Sequence, residues 1–162
     1  MIQRRKGKIV NFSGGGATAP LPRFSAYAVS KSAVVRLTET LAEELKAFNI
    51  QVNAVAPGAV DTKLQDEVIA AGERAGDLYA RIQKMRESGE GGVPPDLAAS
   101  LVSFLASDAA DGLTGRLIAA PHDGWQAWDC ERIQQIMAKP WFTLRRMDEH
   151  TIRVFIQDIT RP

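Results

Sequence analysis

The chain has 162 residues, 45% hydrophobic and 24% charged, which is an ordinary composition for one globular domain with its own core. Its formal net charge of +1 gives no electrostatic reason to expect binding to nucleic acid or to an acidic membrane surface. One cysteine excludes an internal disulfide, and two isolated histidines do not predict a metal site. The sequence has neither a signal-peptide pattern nor an apolar run of membrane-spanning length, so we expect a cytoplasmic protein.

The first third of the chain predicts a strand, a helix and a second strand. Residues 8–12 form a short apolar strand, and the glycines and prolines of residues 14–23 predict a loop. We expect Ser25 to be the N-cap of the helix that follows. The predicted apolar stripe of this helix consists of Val34, Leu37, Leu41 and Leu45. The apolar run Ile50–Ala56 predicts a strand that is buried on both faces.

The remainder of the chain continues the alternation of helices and strands. Residues 61–92 are polar and end in glycines, which predicts helical stretches followed by a flexible loop. Two prolines then open a helix whose apolar stripe consists of Leu97, Leu101, Val102 and Leu105. A last strand is predicted over residues 113–120. The alternation predicts an α/β fold in which helices cover a parallel sheet.

Residues 121–162 are predicted to be a C-terminal extension of the domain formed by residues 1–120. The extension contains a predicted helix at Cys130–Ala138 and a predicted strand at residues 152–156.

Tyr27 and Lys31 are the residues with the clearest chemical potential. They are four positions apart on a predicted helix, so their side chains share one face. A nearby ammonium group favours the phenolate and lowers a tyrosine pKa that is otherwise about 10. Such a tyrosine can donate or accept a proton near neutral pH. The pair is also compatible with an ordinary helix surface, so the choice between the two interpretations depends on the flanking segments.

The flanking segments give the pair a specific context. A strand leads into Ser13 and three glycines, the helix of Tyr27 and Lys31 follows, and a second strand ends at Pro57-Gly58. This order resembles the C-terminal half of the short-chain dehydrogenase/reductase family. The resemblance extends over about residues 6–120. It implies a partial Rossmann-like fold, formed by the last three strands of a doubly wound parallel sheet and their covering helices.

The resemblance also implies roles for individual residues. Tyr27 is the general acid or base, Lys31 lowers its pKa and binds the nicotinamide ribose, and a serine steadies the substrate oxygen. The family serine stands thirteen positions before the tyrosine, where this chain has Gly14. Whether the neighbouring Ser13 takes that catalytic role is therefore left open. The implied cofactor-binding residues are Tyr27, Lys31, Pro57, Gly58, Val60 and Thr62.

The resemblance implies an oxidoreductase that transfers hydride between NAD or NADP and a small carbonyl or alcohol substrate. It also implies a homo-oligomer, either a dimer or a tetramer. Two expected features are missing, because no glycine-rich phosphate-binding turn follows a first strand and no residue reads the ribose 2′ position. We therefore expect a truncated enzyme that begins at an internal Met1, and the strand at residues 8–12 to have an open apolar edge.

Three interpretations follow from these observations. The first is an NAD(P)-dependent short-chain dehydrogenase. The second is a catalytically inactive fragment, or an oligomerising remnant, that lacks the site for the cofactor phosphates. The third is a protein whose missing half is supplied by another polypeptide.

Overall fold

A three-stranded parallel sheet is the centre of the computed structural model, which describes residues 1–153. The strands are β1 (Gly7–Phe12), β2 (Ile50–Ala56) and β3 (Leu117–Ala119). They lie side by side in the order β1-β2-β3, and both neighbouring pairs are parallel. This arrangement confirms the predicted α/β fold and the last three strands of a Rossmann-like sheet.

Helices connect the strands and cover both faces of the sheet. They are α1 (Ser25–Leu45), α2 (Lys63–Ala71), α3 (Asp77–Ser88), α4 (Pro95–Ala106) and α5 (Cys130–Ala138). Residues 149–153 are also helical. No helix within residues 1–153 is both long and apolar enough to cross a membrane.

The two faces of the sheet are buried against different helices because alternate residues of a strand point in opposite directions. On one face, Ile50 and Val52 pack with Ala42 of α1. On the other face, Val55 packs with Leu101 and Leu105 of α4. This two-sided burial explains why β2 is a nearly continuous apolar run.

One expectation for α1 is wrong, and another is correct only in part. Ser25 is the first residue of the helix, and Phe24 occupies the N-cap position without a side-chain cap. The predicted apolar stripe is correct in part, since Leu41 and Leu45 pack against the core beside β2 but Leu37 is 52% exposed. The buried positions of α1 are Val35, Thr38, Glu39 and Ala42. Thr38 faces the sheet, where its hydroxyl accepts a hydrogen bond of 2.9 Å from the side-chain amide of Asn11 in β1.

The last strand is shorter than the predicted residues 113–120. Upstream of β3, the side chain of Asn53 adds to the backbone hydrogen bonds between β2 and residues 115–116. Its Nδ2 donates to the carbonyl oxygen of Leu113 at 2.8 Å, and its Oδ1 accepts from the backbone amide of Arg116 at 3.1 Å. The predicted strand at residues 152–156 is wrong where it is described, since residues 152–153 are helical. Residues 154–156 lie outside the described residues.

The C-terminal extension packs on the same core as the sheet. Trp125, Ile133 and Ile136 share the hydrophobic cluster that contains Val55 of β2. The backbone amide of Leu117 in β3 donates to the carbonyl oxygen of Phe142 at 2.8 Å. The extension therefore lies along the outer edge of β3.

The opposite edge of the sheet is formed by β1, which pairs only with β2 among the described residues. Phe12, at the end of β1, is 50% exposed. The predicted open edge is therefore present in the described part of the chain.

Candidate active site

The candidate site lies beyond the carboxyl ends of β1 and β2. These strands are parallel neighbours that end in register, with Phe12 opposite Val55. The loop that begins at Ser13 and the segment 57–62 consequently leave the sheet at the same edge. In open α/β sheets this edge is where ligands bind.

Tyr27 and Lys31 occupy the first turns of α1, next to the start of the loop that follows β1. The Lys31 ammonium nitrogen is 5.6 Å from the centroid of the Tyr27 ring. It also donates a hydrogen bond of 3.3 Å to the carbonyl oxygen of Phe12. The predicted pair is thus formed, and the lysine joins the helix to the end of β1.

The hydroxyl of Tyr27 lies directly against Gly14. A Cβ atom added at Gly14 would stand 2.5 Å from the Tyr27 hydroxyl oxygen and 3.7 Å from Cε of Lys31. Any side chain at this position would displace the phenol. Gly14 therefore makes room for the tyrosine hydroxyl at the position where the resemblance implies a serine.

Burial raises the pKa of the Tyr27 phenol above its ordinary value. This direction is opposite to the lowering expected from Lys31, and its cause is burial. The lysine nitrogen lies over the ring and bonds to a backbone carbonyl, while the partly buried phenol loses contact with water. Loss of water disfavours the phenolate.

Ser13 lies close to the pair, but its hydroxyl points to the helix backbone. The hydroxyl donates a hydrogen bond of 3.3 Å to the carbonyl oxygen of Lys31, and the side chain is buried. Its backbone amide donates to the carbonyl oxygen of Val55 at 2.8 Å, and this hydrogen bond continues the pairing of β1 with β2. Ser13 therefore has a structural role here, and its catalytic role stays a prediction.

The predicted cofactor segment follows β2 and makes a tight turn. Gly58 has a φ of +86°, and an added Cβ would come within 2.7 Å of Val93 and 3.1 Å of Pro121. The amide of Val60 donates to the carbonyl of Gly58 at 3.1 Å. Glycine is required at this turn both by the backbone conformation and by the close neighbours.

Gln65 is a residue of this site that the sequence did not reveal. It is 8% exposed, and its Nε2 donates a hydrogen bond of 2.8 Å to the carbonyl oxygen of Val60. Its backbone amide donates to the carbonyl of Thr62, also at 2.8 Å. A glutamine within the polar stretch 61–92 forms no pattern, so only its burial identifies it.

The predicted helical stretches of residues 61–92 are present as α2 and α3. The guanidinium of Arg86 in α3 forms ion pairs of 2.6 Å with both Asp61 and Asp66. A cavity of about 360 Å³ lies beside this cluster, between Asp61, Met85 and Val93. Helix α3 thus borders a space next to the segment that follows β2.

Known proteins with similar sequences match most of the chain. The family model described as "Enoyl-(Acyl carrier protein) reductase" matches residues 1–122. A curated relative, 3beta-hydroxysteroid dehydrogenase 1 of Eggerthella lenta, is 39% identical over 113 residues, which are 70% of this chain and 41% of the relative. The chain spans about half the length, or slightly less, of the curated relatives it matches.

Solved structures resemble the fold of this chain over about three quarters of its length. NAD+-bound xylitol dehydrogenase has a TM-score of 0.63 at 26% identity, covering 74% of this chain and 49% of that protein. Gluconate 5-dehydrogenase of Burkholderia cenocepacia, solved with NADP and tartrate, has a TM-score of 0.60 at 26% identity, covering 76% of this chain and 46% of that protein.

Proposed function

Since the chain belongs to the short-chain dehydrogenase/reductase family, whose model matches residues 1–122, we propose that Tyr27 and Lys31 serve an NAD(P)-dependent oxidoreductase acting on a small carbonyl or alcohol. The observation that carries this proposal is the placement of the Tyr27 hydroxyl against Gly14, beside the ammonium group of Lys31. Both lie at the edge of the sheet where ligands of such folds bind.

Tyr27 is the proposed general acid and base. During reduction, its hydroxyl donates a proton to the oxygen of the carbonyl substrate, and during oxidation the phenolate takes the proton of the alcohol. Lys31 supports the phenolate by its positive charge. The buried hydroxyl of Ser13 would have to leave the carbonyl of Lys31 to reach a substrate oxygen.

The segment of Pro57, Gly58, Val60 and Thr62 fits the nicotinamide end of the cofactor. Thr62 is exposed, and its hydroxyl has no hydrogen bond to another described residue. A buried side-chain oxygen of Gln65 also lacks a donor among the described residues. When bound, NAD or NADP would supply or accept the hydride, and the chain's own residues would orient the ring. Relatives have been solved with each of the two cofactors, which leaves both as candidates.

Titration with NADH and NADPH tests this proposal. We expect saturable binding of at least one reduced cofactor by the purified chain, followed by calorimetry, with a folded state confirmed by circular dichroism. Replacement of Lys31 by methionine should weaken binding by about tenfold to a hundredfold, because charge-assisted hydrogen bonds contribute about 1.5–3 kcal/mol. A folded chain that binds neither cofactor would instead support the inactive-fragment interpretation.

We propose further that two copies associate through the exposed face of α1. Val29 is 68% and Leu37 is 52% exposed, and they lie two helical turns apart on one side. Contact with a second copy would remove both apolar side chains from water. Sedimentation equilibrium should show an oligomer for the natural chain and a monomer for the double variant Val29→Glu, Leu37→Glu. Ala99→Glu on the exposed side of α4 is the matched control and should leave the mass unchanged.

A further inference from the structure

Gln65 forms two hydrogen bonds to the predicted cofactor segment, residues 57–62. Its backbone amide bonds to the carbonyl of Thr62, and its side-chain Nε2 bonds to the carbonyl of Val60, each at 2.8 Å. Both carbonyls belong to the turn that follows β2. The side chain is more than nine-tenths buried, so water competes little for these bonds. Gln65 therefore fixes the path of residues 60–62.

The side-chain amide oxygen of Gln65 lacks a hydrogen-bond partner in the described part of the chain. Oε1 of Gln65 is buried and accepts no hydrogen bond within the described part of the chain. Leaving a buried acceptor without a donor costs about 1–3 kcal/mol. Rotating the amide does not remove the problem, because it would bring two carbonyl oxygens together at the contact with Val60.

An unsatisfied acceptor beside a predicted nicotinamide segment points to a ligand donor. The nicotinamide carboxamide carries an NH₂ group with two N–H donors. We propose that Gln65 is a positioning residue which holds Val60 in place and uses its free Oε1 to accept a hydrogen bond from this carboxamide. The inference rests on the proposed function, because it requires the segment 57–62 to face the nicotinamide.

A change in the ligand tests the acceptor role. The 3-acetylpyridine analogue of the cofactor replaces the carboxamide NH₂ by a methyl group and so lacks the donor. We expect the natural chain to bind the normal cofactor about threefold to tenfold more tightly than the analogue, as the loss of one hydrogen bond predicts. In Gln65→Met, which keeps the length of the side chain without its amide, both ligands should bind within about twofold of each other.

ADP-ribose provides the matched ligand control, since it lacks the nicotinamide. Its affinity should be the same for the natural chain and for Gln65→Met. A loss of ADP-ribose binding in the variant would show general damage to the site and overturn the specific role. Equal preference for the normal cofactor over the analogue in both proteins would overturn the acceptor role as well.

Hydrogen exchange tests the positioning role without any cofactor. The amides of Val60 and Gln65 donate within this turn, so Gln65→Met should speed their exchange by at least about threefold, the loss expected for one hydrogen bond. Glu67→Met, at an exposed position of the same helix, should leave these amides unchanged. Unchanged exchange in Gln65→Met would overturn the positioning role. If the natural chain binds no cofactor, the proposed function and the acceptor role fail together, and exchange alone decides the positioning role.

Discussion

Replacing Tyr27 by phenylalanine is expected to lower the rate of carbonyl reduction by about 10²–10⁴-fold, the usual contribution of a positioned general acid. The substitution keeps the aromatic ring and removes only the hydroxyl that lies against Gly14. Folding and cofactor binding should therefore change little. Rates are to be measured with NADH and NADPH over a panel of small ketones and aldehydes.

The chain contains a second tyrosine that serves as the control. Tyr79, in α3, packs in the separate hydrophobic cluster around Val68. Tyr79→Phe should keep the rate within about twofold, which is about 0.4 kcal/mol, because Tyr79 packs in a cluster that contains neither Gly14 nor Lys31. A Tyr27→Phe variant that keeps more than a tenth of the natural rate would contradict the assignment of the proton donor.

The pH dependence of the same residue gives a test that does not need activity. Burial raises the pKa of the Tyr27 phenol, so its neutral form is favoured in the folded chain. The stability that this group contributes is present below its unfolded pKa of about 10 and is lost as the pH rises through the higher folded value. In the Tyr79→Phe background, the phenolate absorbance should have its midpoint above pH 10.

Lys31→Met separates the effect of burial from the effect of charge. Because burial causes the shift of the Tyr27 pKa, this variant should titrate almost like its parent in the absence of a ligand. A midpoint well below 10 that moves upward in Lys31→Met would instead show that the ammonium already controls the phenol. The lowering expected from the sequence would then be correct.

Local patterns predicted the elements that have distinct ends. The boundaries of β2 and α5 agree with the sequence, because β2 is an apolar run stopped by proline and glycine and α5 is a short amphipathic helix. The i, i+4 spacing placed Tyr27 beside Lys31 for the same reason. Such features depend on residues that are close together in the chain.

The sequence did not predict features that depend on contacts between residues far apart in the chain. The direction of the Tyr27 pKa shift depends on how far the loop after β1 covers the ring. The buried face of α1 depends on Thr38 facing Asn11, twenty-seven residues away. Gln65 and Glu39 read as polar surface residues, and only the folded chain shows that they are buried. Periodicity cannot distinguish an exposed polar residue from one that is buried with its partners.

Glu39 forms the contact through which the C-terminal extension is held to α1. Its carboxylate is 9% exposed and accepts hydrogen bonds from the backbone amide of Leu144 at 2.6 Å and from Arg145 at 3.2 Å. The carboxylate also pairs with Arg36, whose guanidinium donates to the carbonyl of Leu144 at 2.8 Å. The amide and the carbonyl of Leu144 are thus both bound by one pair of charged side chains on α1.

Replacing Glu39 by alanine should lower the free energy of unfolding by about 2–3 kcal/mol, because the amide of Leu144 loses its acceptor and Arg36 and Arg145 lose the carboxylate with which they pair. The expected loss of stability is moderate because the two arginines are about half exposed. Glu44→Ala, at an exposed position of the same helix, should stay within about 0.5 kcal/mol of the natural chain. Urea unfolding followed by circular dichroism measures both values.

The same variant should also release the extension before the sheet unfolds. Since Arg145 and Arg146 lie next to the contact, trypsin should cleave there faster in Glu39→Ala than in Glu44→Ala under native conditions. Glu39→Gln keeps one acceptor for the amide of Leu144 but loses the charge, so its stability should fall between that of the natural chain and that of Glu39→Ala. Equal stability and equal cleavage in the two alanine variants would mean that the extension is held by its apolar contacts with the core. The ordered decline from glutamate to glutamine to alanine would show that the charged contact with α1 fixes the extension against the edge of β3.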